Sequence, residues 1–315
     1  MKVICVTGAT GFVGQHVLAS LRCSGAFEIR VLTRKRDRFS NTDGVVPIVG
    51  DLSDRDSVSR FLTGGASVIH LAYSPASSMA DNLAQTRQLT AVAAEKRVRR
   101  FLHVSTAVVV GRCQNKVVDE DTACRPSNEY ERTKLAMEQV VEEELSARVD
   151  FAILRPTAVF GPGGQNLVRL ADSLSRGQSM RLAVRAMLMG SRRMNLLYVE
   201  NLAAAIGHLL DLPTPLRGTR FLVCDDNAPA NEFRAVTEML ATELGVRAPA
   251  VPLDLSAVLP IVLRLMGRAL ANPRTLFRSD RLRATGYAAP VTLAEGIRRF
   301  ARWYQAIATD SEVRI

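Results

Sequence analysis

Tyr130 and Lys134 lie four residues apart in the run Tyr130-Glu131-Arg132-Thr133-Lys134. On a helix that spacing puts both side chains on one face. A free phenol titrates near pH ~10 and is a poor base at neutrality. An ammonium a few ångströms away favours the phenolate. A second pair of reactive groups, Ser105 and Thr106, closes the apolar run Phe101-Leu102-His103-Val104. Hydroxyls at a strand's carboxyl end face a ligand crevice, and Thr106 can hydrogen-bond a substrate oxygen there. Thr106, Tyr130 and Lys134 together read as a set that delivers or removes a hydroxyl proton. Elsewhere the same residues would be an ordinary solvated helix face, so their positioning decides the matter.

The positioning starts at the amino terminus. In VICVTGATGFVG, residues 3–14, a β-branched run breaks at Gly8, and glycines recur at 8, 11 and 14 before a helical pattern begins. Gly8 permits a turn, Gly11 lets the backbone approach a ligand, and Gly14 lets the helix pack close to the sheet. The helix N-terminus that follows suits a pyrophosphate. Gly8, Thr10, Gly11, Phe12, Val13 and Gly14 are therefore the candidate dinucleotide turn. The second strand ends at Thr33, before Arg34-Lys35-Arg36-Asp37-Arg38. An acidic residue here would hold a ribose 2′-hydroxyl, and a basic one accommodates a 2′-phosphate. Arg34 and Arg36 thus favour NADP, with NAD as the alternative. Asp51 and Leu52 follow the third strand, where a carboxylate can meet the adenine edge. Leu71 and Ala72 follow the fourth and would let the cofactor lie against the backbone. His70 reads as a packed strand histidine rather than a catalyst. With a nicotinamide in the crevice, the trio would move a hydroxyl proton while hydride moves to or from the ring.

Strand-like runs at Lys2–Thr7, Glu28–Thr33, Val45–Val49, Ser67–Leu71, Arg100–Ser105 and Asp150–Leu154 alternate with helical patterns. The helical patterns fall at Gly14–Arg22, Asp54–Leu62, Ala80–Lys96 and Glu129–Leu145. Such alternation predicts an α/β fold, a doubly wound parallel Rossmann sheet with helices on both faces. After Phe160 the rhythm breaks at GPGG, 161–164, and the later helices are irregularly punctuated. The expected division is a dinucleotide-binding domain over 1–160, with a return segment at about 195–225 that includes a strand at Thr219–Cys224. A smaller, mostly helical C-terminal substrate lobe then covers 161–194 and 226–315.

Composition narrows the class. With 315 residues and 47% apolar residues the chain can bury a full core. The five cysteines form no CxxC pair, and the four histidines lack metal-ligand spacing, so no metal is expected. Reduced cysteines and the absence of a leader before the first strand fit a cytoplasmic protein. The apolar stretch 251–270 is interrupted by Asp254, Pro260, Arg264 and Arg268, too often to span a bilayer. The net charge of +10, with arginine far outnumbering lysine, favours anionic partners. Aromatics are only 5% and no basic stripe interleaves with them, so an anionic cofactor and substrate explain the sign better than nucleic acid.

At this point the chain resembles an extended short-chain dehydrogenase/reductase of the NAD-dependent epimerase/dehydratase family. The resemblance runs through TGATGFVG (7–14), GDL (50–52), HLA (70–72), STAVVVG (105–111), YERTK (130–134), RPTAVFGPG (155–163) and NLLYVENLA (195–203). It extends to DRLRATGYAAPVTLAEGIRRFARWY (280–304), so nearly the whole chain is covered. It implies Thr106 at the catalytic Ser/Thr position beside Ser105, Tyr130 as acid/base, and Lys134 holding the nicotinamide ribose and lowering the phenol pKa. It implies that backbone around Thr157 to Val159 faces the carboxamide. Departures also count. Ala107 and Val108 stand where sugar-nucleotide dehydratases carry an acid and a base, which disfavours dehydration. Met194 stands where many nucleotide-sugar epimerases carry a diphosphate-binding arginine, and Arg193 beside it becomes the candidate substrate residue. The implied activity is hydride transfer at a C4 carbonyl or hydroxyl of a nucleotide sugar, as oxidoreductase or epimerase. The alternatives are an NADP-linked reductase of a non-sugar carbonyl, similar to the dihydroflavonol-reductase and hydroxysteroid-dehydrogenase branches, and a non-catalytic NADP sensor. A homodimer pairing through helices at about 80–97 and 129–145 is also implied.

Overall fold

The computed structural model describes residues 2–25, 27–35, 39, 42–250, 255 and 272–312. Arg36 and, apart from Leu255, the apolar stretch 251–270 lie outside the described residues. The strands are β1 (Lys2–Thr7), β2 (Phe27–Thr33), β3 (Val45–Val49), β4 (Ser67–His70), β5 (Arg100–Val104), β6 (Val117–Val118), β7 (Asp150–Pro156), β8 (Ala158–Phe160), β9 (Leu196–Tyr198), β10 (Thr219–Val223) and β11 (Leu276–Phe277). Seven of them form one sheet in the order β3-β2-β1-β4-β5-β7-β10, and every pairing is parallel. The chain reverses its winding direction between β1 and β4, and ligands in such sheets bind outside the strand ends at this point.

Apolar strands explain the burial on both faces. Ile4 and Val6 of β1 pack with Ile69, Leu102 and Leu154 in one core, whereas Cys5 packs with Val68, Phe101 and Ile153 in another. Helix α1 (Phe12–Ser24) contributes Val17, Leu18 and Leu21 to the first core. Helices α2 (Arg55–Phe61), α3 (Met79–Glu95) and α4 (Glu129–Leu145) supply Phe61, Leu89 and Val141 to the second. The helix starts are written in the sequence. Asp54 caps α2, Ser78 and Asp81 form a capping box on α3, and Asn128 caps α4.

A third core joins β8 and β9 to α5 (Val168–Ser175), α6 (Ser179–Met189), α8 (Phe233–Leu244) and the helix Leu293–Glu312 through Phe160, Leu170, Leu182, Val236 and Phe300. Between α6 and α8, α7 (Val199–Asp211) packs Leu202, Ile206 and Leu209 into the first core. The sheet's strands fall where the sequence places them, with small changes at their ends. β4 stops at His70 and β5 at Val104, each one residue early, although the Leu71 and Ser105 amides still bond the Thr7 and Leu154 carbonyls of the neighbouring strands. A 3₁₀ turn over Ala107–Val110 follows β5.

Candidate active site

The glycine turn has the shape its spacing implies. Gly8 takes a φ of 72°, and a Cβ on it would lie 2.7 Å from the Ala72 amide nitrogen at the end of β4. A Cβ on Gly14 would lie 2.2 Å from the Gly8 carbonyl oxygen, so α1 can pack this closely only through glycine. At Gly11 a Cβ would meet only the Gly8 carbonyl, at 3.3 Å. Gly11 is also the N-cap of α1, and no side chain caps that helix. Glycine at the N-cap offers the first amides of α1 no side chain to bond, which fits a pyrophosphate. Around the turn, the Thr10 carbonyl accepts from Gln15, Val13 is half-buried between the first and third cores, and the Phe12 ring covers Gly164. His16 Nε2 bonds the Pro162 carbonyl at 2.9 Å.

At the ends of β2 and β3, Arg34 is exposed and Asp51 accepts from the backbone and hydroxyl of Ser53. The Ser53 hydrogen bonds hold the Asp51 carboxyl below its ordinary value, and the nearby Arg34 charge adds to the effect. Leu52 is buried, with its carbonyl accepting from Gln88 Nε2. The Leu71 and Ala72 amides both return to Thr7, one to its carbonyl and one to its hydroxyl. The glycine turn and the end of β4 are thereby bound together.

The proton-handling residues gather on the far side of β4. Thr106 is the N-cap of the 3₁₀ turn, where its hydroxyl accepts from the Val108 amide, and it acts on the Tyr130 phenol to hold its pKa down. Lys134, one helical turn further along α4, is 3% exposed and donates from Nζ to the Val104 carbonyl at 2.8 Å. The end of β5 thus meets α4 at this point. Burial pushes the Tyr130 phenol above its ordinary value, and the Thr106 hydrogen bond partly offsets this. Burial pushes the Lys134 ammonium down to about 8, with the Glu138 carboxylate acting the other way. The sequence reading had the ammonium lowering the phenol pKa. In this structure desolvation is the largest effect on each group, and the ammonium lies against a backbone carbonyl.

Ser105 is buried beside them, and its hydroxyl has no hydrogen-bond partner among the described residues. His70 and His103 face each other across β4 and β5 with ring centroids 5.1 Å apart. His70 Nδ1 bonds the Thr7 hydroxyl at 2.8 Å. Burial pushes His70 down to about 3 and His103 well below its ordinary value, so both are neutral and packed at physiological pH. Arg193 is engaged elsewhere. It donates to the Ala228 and Pro229 carbonyls and lies 3.7 Å from the Glu232 carboxylate. Any anion held there would share Arg193 with those acceptors.

Two features have no counterpart in the sequence reading. Tyr73 sets its ring against Tyr130, with centroids 5.3 Å apart and planes at 72°. It immediately follows Leu71-Ala72, and the rule that strand ends face the crevice reaches it. Glu138 and Arg155 form a two-pronged ion pair, 3.0 and 2.6 Å, buried between α4 and β7. Glu138 lies one turn beyond Lys134, a spacing that places it on the same helix face.

The model of the NAD dependent epimerase/dehydratase family matches residues 4–224. The chain belongs to this family. It is an enzyme of the oxidoreductase and epimerase class and an extended short-chain dehydrogenase/reductase. Among similar members, N-acetyl-alpha-D-glucosaminyl-diphospho-ditrans,octacis-undecaprenol 4-epimerase of Escherichia coli O157:H7 is 24% identical, over 94% of this chain and 93% of that one. The 2-alkyl-3-oxoalkanoate reductase of Stenotrophomonas maltophilia is 28% identical, over 95% of this chain and 98% of that one. The solved UDP-glucuronic acid 4-epimerase of Bacillus cereus, in complex with NAD, shares the fold with a TM-score of 0.75 at 18% identity, over 98% of each chain. No helix among the described residues is long and apolar enough to cross a membrane.

Proposed function

We propose that this member transfers hydride between a nicotinamide dinucleotide and the C4 carbonyl or hydroxyl carbon of a nucleotide sugar. The observation that carries the proposal is Tyr130 and the buried Lys134 one turn apart on α4, Lys134 bonded to the end of β5 and both groups against the Tyr73 ring. A bound nicotinamide supplies the carbon that takes or gives the hydride. Gly8, Thr10, Gly11, Phe12, Val13 and Gly14 hold its diphosphate, Asp51 and Leu52 border the adenine, and Leu71 and Ala72 form the floor. Arg34 favours the 2′-phosphate of NADP over NAD. Tyr130 gives its phenolic proton to the substrate oxygen in reduction and takes it back in oxidation. Thr106 holds that oxygen, with Ser105 and Arg193 bordering the substrate. Lys134 offsets the negative charge that grows on Tyr130 when the proton leaves.

In this reading residues 1–160, with a return at about 195–225, are the dinucleotide lobe, and 161–194 with 226–315 the substrate lobe. Two chains pair through α3 and α4, and a sedimentation mass of a single chain would overturn that pairing.

The test is turnover of a panel with NAD and NADP supplied separately. The panel holds UDP-glucose, UDP-glucuronic acid, UDP-N-acetylglucosamine and 2-alkyl-3-oxoalkanoates. Tyr130→Phe should lower the activity found by about 10²–10⁴-fold without loss of dinucleotide binding. Unchanged activity in that variant would remove Tyr130 from the chemistry. Turnover confined to the oxo-acids would favour the second reading, a non-sugar carbonyl reductase. That reading is supported by Met194, half-buried against the third core where many nucleotide-sugar epimerases carry an arginine. Binding of dinucleotide with no turnover at all would favour a sensor.

A further inference from the structure

We propose that Tyr73 is a positioning residue of this site, its ring holding the Tyr130 phenol edge-on and keeping water from the Lys134 ammonium. The inference rests on Tyr130 being the proton-transfer group. Two contacts carry it. The Tyr73 ring meets the Tyr130 ring in a T-shaped arrangement, centroids 5.3 Å apart. The Lys134 Nζ lies 5.7 Å from the centre of the same Tyr73 ring, within cation–π range. One aromatic side chain thus touches both groups that must cooperate, and it comes from the loop after β4 rather than from their own helix.

The backbone under Tyr73 is fixed on both sides. Before it, the Leu71 and Ala72 amides are tied to Thr7. After it, Asn82 reaches back from α3 and clamps the loop. Its side-chain oxygen accepts from the Ser74 amide at 3.0 Å, and its nitrogen donates to the carbonyls of Ser74 and Ser78 at 3.0 and 2.9 Å. Asn82 is itself 3% exposed. The backbone that carries the ring is thus held on both sides, and aromatic pairs favour the edge-to-face arrangement seen here.

The chemical consequence is specific. Tyr130 is 40% exposed, so nothing but its neighbours fixes the direction of its hydroxyl. Tyr73 holds the ring, and Thr106 acts on the phenol to lower its pKa. Over Lys134 the same ring supplies a polarisable face in place of water. The titratable groups facing Lys134 from the surrounding elements are Glu138 on α4, His103 on β5 and His70 on β4. Neither histidine is charged at neutral pH, so hydration is the variable that Tyr73 controls.

The test needs no known substrate. The Tyr130 phenol is titrated by phenolate ultraviolet absorbance in the full chain, and its signal is isolated by subtracting the matched Tyr130→Phe protein. Tyr73→Ala should bring the Tyr130 midpoint down towards the ordinary phenol value of about 10. Tyr73→Phe, which keeps the ring and removes only the smaller charge effect of the Tyr73 phenol, should move it much less. Turnover on whichever panel substrate is active should fall at least about tenfold in Tyr73→Ala and be largely restored in Tyr73→Phe. If Tyr73→Ala does not fold, Tyr73→Leu fills the volume without a ring and is read the same way. An unmoved midpoint in the Ala or Leu variant would overturn the proposal, as would a Phe variant that shifts as far as Ala. Full activity in Tyr130→Phe would instead sink the functional reading beneath it.

Discussion

A lysine enclosed by protein holds its proton less tightly than one in water, because burial penalises the charged form. Lys134 is such a group, pushed down to about 8. Between about 8 and its ordinary 10.5 the folded chain releases a proton that the unfolded chain keeps. The cost of burying this charge is therefore fully present below pH 8 and is relieved as pH rises through that window. Activity should run the other way, since the charged form is the useful one. The kcat/KM profile should bend downwards above about pH 8, and Lys134→Met should be slower with no bend there. A bend that survives in the variant would assign it to another group. Arg34 belongs to the same scale. Arg34→Ala should weaken NADP binding several-fold more than NAD binding, measured by fluorescence titration, and equal losses would remove the 2′-phosphate role. The Tyr130–Lys134 pair was legible because helix spacing alone puts two side chains together. Tyr73 was not, since its contact with Tyr130 joins two separate elements, and no local pattern encodes which loop will fold over a helix.

The elements follow the same division. Apolar runs ending in turn residues marked all seven strands of the main sheet, and α4 keeps its expected bounds. The strands β6, β8, β9 and β11 have only two or three residues each, too few for any alternation to register. Nor did the sequence disclose how α4 is fastened to β7. The Glu138–Arg155 pair is 1% and 3% exposed, and Arg220 and Glu142 extend it towards the surface. Glu138→Gln would leave the Arg155 guanidinium buried without its counter-charge. Removing one member of such a pair costs about 3–5 kcal/mol. Chemical denaturation should register a loss of that order. A loss below about 1 kcal/mol would mean that the pair contributes little beyond what a neutral side chain supplies. Because Lys134 lies one turn away on the same helix, the variant should also lose turnover even where it remains folded.

Across the whole molecule, one buried carboxylate gathers three distant stretches of chain. Asp226 accepts from the Asn195 and Asn231 side chains and from the Phe277 amide, joining the segments that flank β9, α8 and β11. Burial pushes it up to about 6, with hydrogen bonds from Phe277 and Asn195 partly offsetting this. Its folded pKa lies above the unfolded value of 3.8, so the folded chain takes up the proton first as pH falls. The group therefore costs stability at neutral pH, about 3 kcal/mol from a difference of roughly two pH units. That cost builds up as pH rises from about 4 to about 6 and is constant above. The stability difference between wild type and Asp226→Asn, measured by urea denaturation from pH 4 to 7, should move against the wild type by that order. A difference flat across the range would show that Asp226 does not titrate there.

His16 fastens the first turn of α1 to the loop after β8, and the Phe12 ring lies over the glycines of that loop. The amino-terminal end of α1 and the entrance to the third core consequently move as one piece. Whatever anion settles on those helix amides also pins the start of the segment that carries α5 and α6. Occupancy at one end should thus be felt as tautness at the other, protecting the amides of residues 161–175 from hydrogen exchange.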